Sequence, residues 1–349
     1  MLDSILGRSP AEADSANPPG LGTIRRPVIG LALGGGAARG FAHIGVLRSL
    51  IAHNIVPSVV VGTSMGAVVG GCYAAGHLDT LEEWACGLQP RNIFSYLDIR
   101  LNGSGLIGGN KLAAQLELAL GQTLVEDLPL KFASVATEVQ TGHEIWLTRG
   151  RLVDAMRASY ALPGIFAPVS INDRWLVDGA LVNPVPVSAA RAMGAELVIA
   201  ANLSSDVFGH ATTIFDFGSA PAIDQPVVET IVAPKRGIGR LFPAEKTVKR
   251  EFFGDSKRPG ISSVMVDAFN IMQDRITRAR LAGDPPDMHI APRVGKIGLF
   301  DFHRAEEVIA IGARATDRAI ESIQEAISIL TPDAPASNPV PQKPTRGQP

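Results

Sequence analysis

The chain contains few cysteines, few aromatic residues and little net charge, and each shortage argues against a class of function. Its 349 residues include only two cysteines, Cys72 and Cys86, which form no C-x-x-C pair. No Cys/His cluster has zinc-ligand spacing, so we expect reduced core cysteines, no metal and no cofactor. Aromatic residues make up 5% of the chain and the net charge is -2. These values argue against a nucleic-acid partner.

Long apolar runs and targeting signals are also missing. The uncharged stretch 56–77 contains five glycines and is more typical of a strand followed by a helix than of a membrane span. The first ten residues, MLDSILGRSP, lack the basic and apolar regions of a secretory signal. We therefore expect a cytoplasmic protein, whose only membrane association would be peripheral, at the inner membrane.

Apolar residues, glycine and proline are abundant. The chain is 46% hydrophobic, with 36 glycines and 25 prolines. Residues 1–26 and 331–349 have the composition of disordered ends. Between them, continuous apolar strands alternate with helical patterns, which predicts an α/β fold with a mostly parallel sheet covered on both faces. We expect a catalytic core at 27–203, an insertion or lid at 204–260, and a C-terminal helical extension at 261–330.

The periodicity of apolar residues places the individual elements. Strands are expected at 27–33, 58–62, 131–139, 143–148, 174–179, 196–203 and 287–291. Helices are expected at 41–54, 65–76, 78–88, 109–120, 151–160, 186–194, 262–281 and, as one final helix, about 303–329.

A glycine-rich loop, GGGAARG (34–40), follows the first strand and opens a helix, which is the usual setting of an anion site. A dinucleotide fingerprint, G-x-G-x-x-G, would need glycine where Arg39 stands, and no acidic residue ends the next strand. No Gly-Lys-Ser/Thr follows, which excludes a P-loop. Consecutive glycines also let backbone N–H groups converge on one small oxyanion, and that use remains.

The stretch VVVGTSMGAVVGG (59–71) places Ser64 between Gly62 and Gly66, where an apolar strand meets a helix of small residues. A G-x-S-x-G elbow mounts a nucleophilic serine on such a turn and directs the next N–H, here that of Met65, towards a developing oxyanion. The motif occurs often by chance, so a filler serine in a packing turn is the competing interpretation. The position between strand and helix favours the nucleophile.

A base for Ser64 is not evident among the seven histidines. None lies in a glycine-flanked loop after a core strand, where an α/β-hydrolase places its histidine, and His43 in the first helix is typical of a structural residue. Asp178 ends the strand RWLVD and is followed by Gly179. Taken alone, Asp-Gly is also a common turn.

Together these motifs resemble a known family. GGGAARG, GTSMG and DGA, in this order, resemble the patatin-like phospholipases, and ASYALPGIF (158–166) resembles a further signature of that family. RGFAHIGVL and ITRARLAGDPPDMHIAPRVGKIGLFDFHRA are similar to its bacterial branch related to neuropathy target esterase. The resemblance extends over about residues 27–330.

The resemblance implies a three-layer α/β/α fold and hydrolysis of phospholipid or lysophospholipid acyl esters, with Ser64 as nucleophile and Asp178 as proton acceptor. The implied donors of the oxyanion hole are Gly35, Gly36, Ala37 and Met65. The implied supporting residues of the motifs are Gly34, Arg39, Gly40, Gly62, Gly66 and Gly179. Arg39 would hold the loop or receive substrate charge. A free carboxylate with a pKa of about 4 is a weak base for serine. We therefore expect Asp178 to be buried, with a raised pKa, within hydrogen-bond reach of Ser64 Oγ.

Two other functions fit the same motifs: a non-catalytic regulatory or membrane-recruitment module, and acyl transfer to an alcohol or thiol from the same acyl-enzyme. Segment 234–259 has eight Lys/Arg against three acids, interleaved with leucine and phenylalanine. This mixture suits transient contact with an anionic lipid surface, and it also suits a solvated loop.

Overall fold

The computed structural model describes residues 25–89, 110–206 and 261–331. Within them, eight strands form one sheet in the order β5-β6-β3-β2-β1-β7-β8, with β4 also paired to β3. The strands are β1 (Ile29–Leu33), β2 (Val59–Thr63), β3 (Lys131–Glu138), β4 (Glu144–Leu147), β5 (Val169–Ile171), β6 (Arg174–Asp178), β7 (Leu197–Ala201) and β8 (Met288–Ile290).

The centre of the sheet is parallel and one side of it is antiparallel. Strands β3, β2, β1, β7 and β8 pair in parallel, whereas β4 and β6 run antiparallel to β3, and β5 runs antiparallel to β6. Every residue of β1, β2 and β7 is buried, as parallel strands covered on both faces require. The mostly parallel sheet expected from the sequence is confirmed.

Nine helices accompany the sheet in the described ranges. They are α1 (Ala42–Ala52), α2 (Met65–Ala74), α3 (Leu78–Cys86), α4 (Asn110–Leu120), α5 (Leu152–Ser159), α6 (Val187–Ala192), α7 (Ile261–Gly283), α8 (Ala305–Asp317) and α9 (Ile320–Leu330). The expected single helix at 303–329 is wrong, because the chain turns at Arg318 and Ala319 between α8 and α9. This turn lets Ile320 and Ile323 enter the core.

Alternate residues of the central strands separate the core into two faces. Leu31 and Ile199 belong to the larger apolar cluster, with α1, α2, α5 and α8. Their neighbours Ala32 and Ala200 belong to a second cluster, with residues 185–190. Since successive side chains of a strand point to opposite faces, the two clusters lie on the two sides of the sheet. The fold therefore has the three layers α/β/α.

The C-terminal region is part of the core and not only an extension packed on it. Strand β8 extends the sheet through its pairing with β7. Helix α8 crosses α1 at two glycines: a Cβ on Gly45 would overlap the Ile309 carbonyl, and a Cβ on Gly312 would overlap the Ala42 carbonyl. The expected disorder of both chain ends and most of the expected insertion at 204–260 fall outside the described residues.

Two further expectations can be compared with the structure. Both cysteines are free, but only Cys72 is in the core. The expectation of a core position is wrong for Cys86, which lies exposed at the end of α3. Among the described helices, none combines the length and apolar character needed to cross a membrane.

Candidate active site

Ser64 forms the whole connection between β2 and α2. Strand β2 ends at Thr63 and α2 begins at Met65. The backbone of Ser64 has φ +56° and ψ -124°, a left-handed conformation that costs a non-glycine residue on the order of 1–3 kcal/mol. A strained strand-to-helix turn of this kind is the geometry of a nucleophile elbow.

Glycines make this turn sterically possible. A Cβ on Gly62 would overlap the backbone at the start of α2, and a Cβ on Gly66 would overlap the Leu33 carbonyl of the neighbouring strand. Gly40 approaches the Met65 side chain in the same way. The small residues around Ser64 in the sequence are therefore explained by close backbone approach between β1, β2 and α2.

Asp178 reaches Ser64 through the register of the sheet. In β3, Val135 pairs with Thr63 on β2, and the next residue, Ala136, pairs with Asp178 on β6. This register places the ends of β2 and β6 at the same level, on opposite sides of β3. Ser64 Oγ donates a hydrogen bond of 2.7 Å to Asp178 Oδ2, across 114 positions of sequence.

The Asp178 carboxylate is almost completely buried, at 1% exposure. Its Oδ1 accepts the Ala180 N–H at 2.8 Å, and its own carbonyl accepts the Thr137 hydroxyl at 2.9 Å. Burial raises the pKa of Asp178 to about 7, while the hydrogen bonds from Ala180 and Ser64 oppose that rise. A carboxylate with this pKa is a much better proton acceptor near neutral pH than an exposed one.

Two of the loop amides are committed to the sheet. The Gly34 N–H donates to the Ala201 carbonyl at 3.0 Å, and the Gly35 N–H donates to the Pro184 carbonyl at 3.0 Å. These bonds fix the glycine loop over the ends of β1 and β7. Gly35, which the sequence analysis includes among the oxyanion-hole donors, has its N–H engaged in this conformation.

Three other amides are open to a ligand. The N–H groups of Gly36, Ala37 and Met65 make no hydrogen bond within the part of the chain that the structure describes. Ala37 has φ +45°, which turns the loop at this point. All three residues line the same cavity as Ser64 and Asp178. The arrangement can stabilise negative charge on an oxygen bound beside Ser64.

The cavity at Ser64 has a volume of about 50 Å³ and mainly apolar walls. Helix α7 contributes Phe269 and the side-chain amide of Gln273 to the lining. Other walls come from the segment after α5 and from the residues before α8. The aromatic residues of the lining are Tyr160, Phe166, Phe269, Phe300 and Phe302. Five of the 19 aromatic residues of the chain thus line this cavity.

His43 supports the loop and does not face the cavity. Its Nε2 lies 2.7 Å from the Gly34 carbonyl. Because a carbonyl can only accept, Nε2 must carry the proton. Complete burial lowers the pKa of His43 to about 4, so the ring is neutral at pH 7. His43 is absent from the cavity lining, in agreement with a structural role.

Arg39 also acts on the loop. Its Nε donates to the Ile297 carbonyl at 2.8 Å, and its side chain is buried. Burial lowers the pKa of Arg39, while Asp206 and Asp301 oppose this effect. Of the two roles considered for Arg39, holding the loop agrees with these contacts. The guanidinium ties the start of α1 to the segment before α8.

Ser159, which lies in the stretch 158–166, is a residue of this site that no motif points to. Its Oγ accepts the Ser64 N–H at 2.8 Å and donates to the Val135 carbonyl at 2.5 Å. Thr63 is held similarly, by a hydrogen bond of 2.8 Å to the Asn183 carbonyl. Neither contact has a local sequence signal, since each joins segments about a hundred residues apart.

Comparison with known proteins places these features in one family of sequences. The family described as patatin-like phospholipase matches residues 31–191. An uncharacterized NTE family protein of Mycobacterium tuberculosis is 32% identical over 333 residues, which cover 85% of this chain and 92% of that protein. Lysophospholipase NTE1 of Pyricularia oryzae is 24% identical over 293 residues, covering 81% of this chain and 18% of that protein.

Similarity also extends to solved structures. VipD from Legionella pneumophila matches with a TM-score of 0.41 and 14% identity, over 85% of this chain and 67% of that chain.

Proposed function

The chain belongs to the patatin-like phospholipase family, in its NTE-related branch, and we propose that it is a serine hydrolase of phospholipase A or lysophospholipase type. Membership of this family supports a lipid hydrolase in general. The proposal adds the mechanism: Ser64 attacks the acyl ester, and Asp178 alone accepts and returns the proton.

One observation carries this proposal. The buried Ser64–Asp178 hydrogen bond of 2.7 Å lies in the same cavity as three backbone amides that have no partner among the described residues. A nucleophile, a proton acceptor and oxyanion donors within reach of one point are the minimum set for acyl transfer. Each group is held by packed strands or helices, so the geometry is preorganised.

Acylation begins with attack of Ser64 Oγ on the ester carbonyl carbon. As this bond forms, the hydroxyl proton moves to Asp178 Oδ2, and the carbonyl oxygen becomes an oxyanion. The amides of Gly36, Ala37 and Met65 donate to that oxyanion, with help from the positive end of α2. When the tetrahedral intermediate collapses, the ester C–O bond breaks and the alcohol leaves with the proton from Asp178.

Deacylation repeats these steps with water as the nucleophile. Asp178 takes a proton from water as the water oxygen attacks the acyl carbonyl of the Ser64 ester. The bond to Ser64 Oγ then breaks, and Asp178 returns its proton to that oxygen. The products are a fatty acid and the regenerated hydroxyl. No step requires a metal or a second base.

The cavity walls favour an acyl ester as substrate. The lining is mainly apolar and aromatic. Transfer of a hydrocarbon chain from water to these walls therefore has a favourable free energy. The open amides face the same cavity and can bind only an acceptor such as the ester oxygen. This combination suits a lipid ester better than a charged or sugar-like substrate.

Contact with a lipid surface forms part of the proposal. Helix α7 lines the cavity through Phe269 and Gln273 and carries an exposed apolar stripe on another face. That stripe consists of Val264, Met265, Ile271 and Met272, whose i, i+1, i+7, i+8 spacing places them together. Insertion of this stripe would set the cavity beside the bilayer. The basic segment 234–259 precedes α7 in sequence and lies outside the described residues.

Hydrolysis can be tested with a panel of short esters, lysophospholipids, phospholipids and triacylglycerols, assayed on the wild type and on Ser64→Ala. We expect the wild type to release fatty acid from phospholipid or lysophospholipid and to react with a fluorophosphonate probe, and Ser64→Ala to do neither. Equal activity of Ser64→Ala would contradict the proposal. A wild type that neither reacts with the probe nor hydrolyses any ester would favour the non-catalytic module.

An alcohol acceptor added to the same assay distinguishes hydrolysis from acyl transfer. Both reactions use the same acyl-enzyme, so only the products differ. Free fatty acid as the main product supports the proposed hydrolase. A new ester that forms faster than free fatty acid would instead assign the chain to acyl transfer.

A further inference from the structure

A second serine, Ser159, lies at the end of α5, beside the turn at Ser64. Its side chain is completely buried, and it is absent from the cavity lining. It therefore cannot touch a substrate in the cavity. Its hydroxyl nevertheless contacts the backbone of Ser64, the residue with the strained conformation.

The two hydrogen bonds of Ser159 have a fixed direction. The Val135 carbonyl can only accept, so the Ser159 proton points to it, at an O···O distance of 2.5 Å. The Ser64 N–H can only donate, so it uses a lone pair of Ser159 Oγ, at 2.8 Å. A hydroxyl is the smallest side-chain group that donates and accepts at once. Alanine would leave the buried Ser64 N–H without this acceptor and would remove one hydrogen bond from the Val135 carbonyl.

The same short segment also holds Asp178. Two residues after Ser159, the Ala161 carbonyl accepts the Asp178 N–H at 3.0 Å. Val135, which accepts the Ser159 proton, is the residue against which Gly179 packs without room for a Cβ. Residues 159–161 thus accept hydrogen bonds from the backbone N–H groups of both Ser64 and Asp178.

We propose that Ser159 is a positioning residue that holds Ser64 at the correct distance and direction from Asp178, and that residues 159–161 form a bracket for the pair. The inference rests on the proposed function, since it assigns a role within the same reaction. The bracket acts on the backbone of both residues and leaves their reactive oxygens free. Its contribution is to the rate of the chemical step and not to substrate binding.

The chain offers a matched control for this proposal. Ser134 is also completely buried and lies in the same contact between β3 and α5. Its Oγ donates to the Ala155 carbonyl at 2.8 Å and does not touch Ser64. Ser134→Ala and Ser159→Ala remove the same atom from the same interface, so any general effect on packing should be similar in both.

The experiment compares kcat, KM and the pH profile of wild type, Ser159→Ala and Ser134→Ala on one ester substrate. We expect Ser159→Ala to lower kcat by roughly 10- to 100-fold, because a small misplacement of reacting groups has this effect, with little change in KM. The acid limb of its profile should also move to higher pH, since a weaker bond from Ser64 no longer lowers the pKa of Asp178. Ser134→Ala should keep the wild-type values.

Further variants keep the test decisive. If Ser159→Ala does not fold, Ser159→Cys keeps a side chain of similar shape but weakens both hydrogen bonds, and the same loss of kcat is expected. A folded variant of either kind with kcat within about twofold of wild type and an unchanged profile would overturn the role of Ser159. An equal loss in Ser134→Ala would also overturn it. Failure of the proposed function itself is recognised separately, because the wild type would then be inactive.

Discussion

Ser64 and Asp178 share a single hydrogen bond of 2.7 Å, and both side chains are at least nine-tenths buried. The contact joins the end of a parallel strand to the end of an antiparallel one. The two hydrogen bonds to the Asp178 carboxylate come from the neutral groups Ser64 Oγ and Ala180 N–H, so the pKa of Asp178 is governed mainly by the loss of water around it.

Activity should depend on the ionisation of Asp178. Only the carboxylate can accept the proton of Ser64, and burial raises the pKa of Asp178 to about 7. We therefore expect kcat/KM to be highest above pH 7 and to fall about tenfold per pH unit well below it. A pH–rate profile with a water-soluble ester measures this limb. A profile that stays flat from about pH 5 to 8 would contradict Asp178 as the base.

Stability should show the opposite trend from activity. The folded-state pKa of Asp178 is raised from 3.8 to about 7, so its contribution to stability is fully present below pH 3.8 and is lost as pH rises through 7. Asp178→Asn removes this titration and should be more stable than wild type at pH 8, by about 2–4 kcal/mol, but inactive. Urea unfolding at pH 5 and pH 8 measures the difference. If the difference in unfolding free energy between Asp178→Asn and wild type were no larger at pH 8 than at pH 5, a buried, titrating Asp178 would be ruled out.

His43 should be dispensable for chemistry. Gln can place its Nε2 where the His43 Nε2 donates to the Gly34 carbonyl, so His43→Gln should preserve the loop. We expect kcat/KM to stay within about threefold of wild type with the same pH profile, and a loss of about 1 kcal/mol in stability from the altered fit. Loss of a general base would instead lower the rate by roughly 10²–10⁴. A loss of that size would indicate a histidine mechanism.

Gly66 should not tolerate a side chain. A Cβ at this position would overlap the Leu33 carbonyl of β1, so Gly66→Ala must push α2 away from the sheet and move Ser64. We expect a loss of about 1–3 kcal/mol in the free energy of unfolding, together with a large loss of kcat. Gly283→Ala is the matched control, because nothing lies within 4 Å of a Cβ there. Its free energy of unfolding should stay within about 0.5 kcal/mol of the wild-type value.

The α7 stripe should control binding to lipid surfaces. Ile271→Glu with Met272→Glu places two charges on the stripe and should reduce binding to anionic vesicles by roughly tenfold or more, since each buried apolar side chain contributes about 1.5–3 kcal/mol. Hydrolysis of a water-soluble ester should not change. Ile329→Glu, at a position on α9 that is 76% exposed, is the control. Equal losses in both variants would show that the stripe has no special role.

The strand–turn–helix geometry around Ser64 could be predicted because its determinants are local. A β-branched run, then Gly62, Ser64 and Gly66, then small residues, specifies strand, turn and helix through the steric limits of neighbouring positions. The parallel sheet follows from the same kind of pattern, in which apolar strands alternate with helical periodicity. The exclusion of a histidine base also rested on local surroundings, and the structure places His43 against the glycine loop.

The features that the sequence predicted incorrectly depend on long-range contacts. The turn between α8 and α9 contains neither glycine nor proline, and Ile320 and Ile323, which follow it, are buried in the larger apolar cluster. Cys86 is exposed because α3 presents another face to the core. In each case the local pattern allowed the expected structure, and packing against remote segments selected a different one.

The sequence by itself determined the α/β fold, the strained serine between glycines and the presence of an aspartate at a strand end, because these depend on residues close together in the chain. Only the tertiary structure decided that Asp178 meets Ser64, that the Gly35 N–H is used by Pro184 while the amides of Gly36 and Ala37 have no partner among the described residues, and that Ser159 Oγ accepts the Ser64 N–H. Those contacts join residues far apart in sequence. Their geometry is set by strand register and helix packing, which no local pattern specifies.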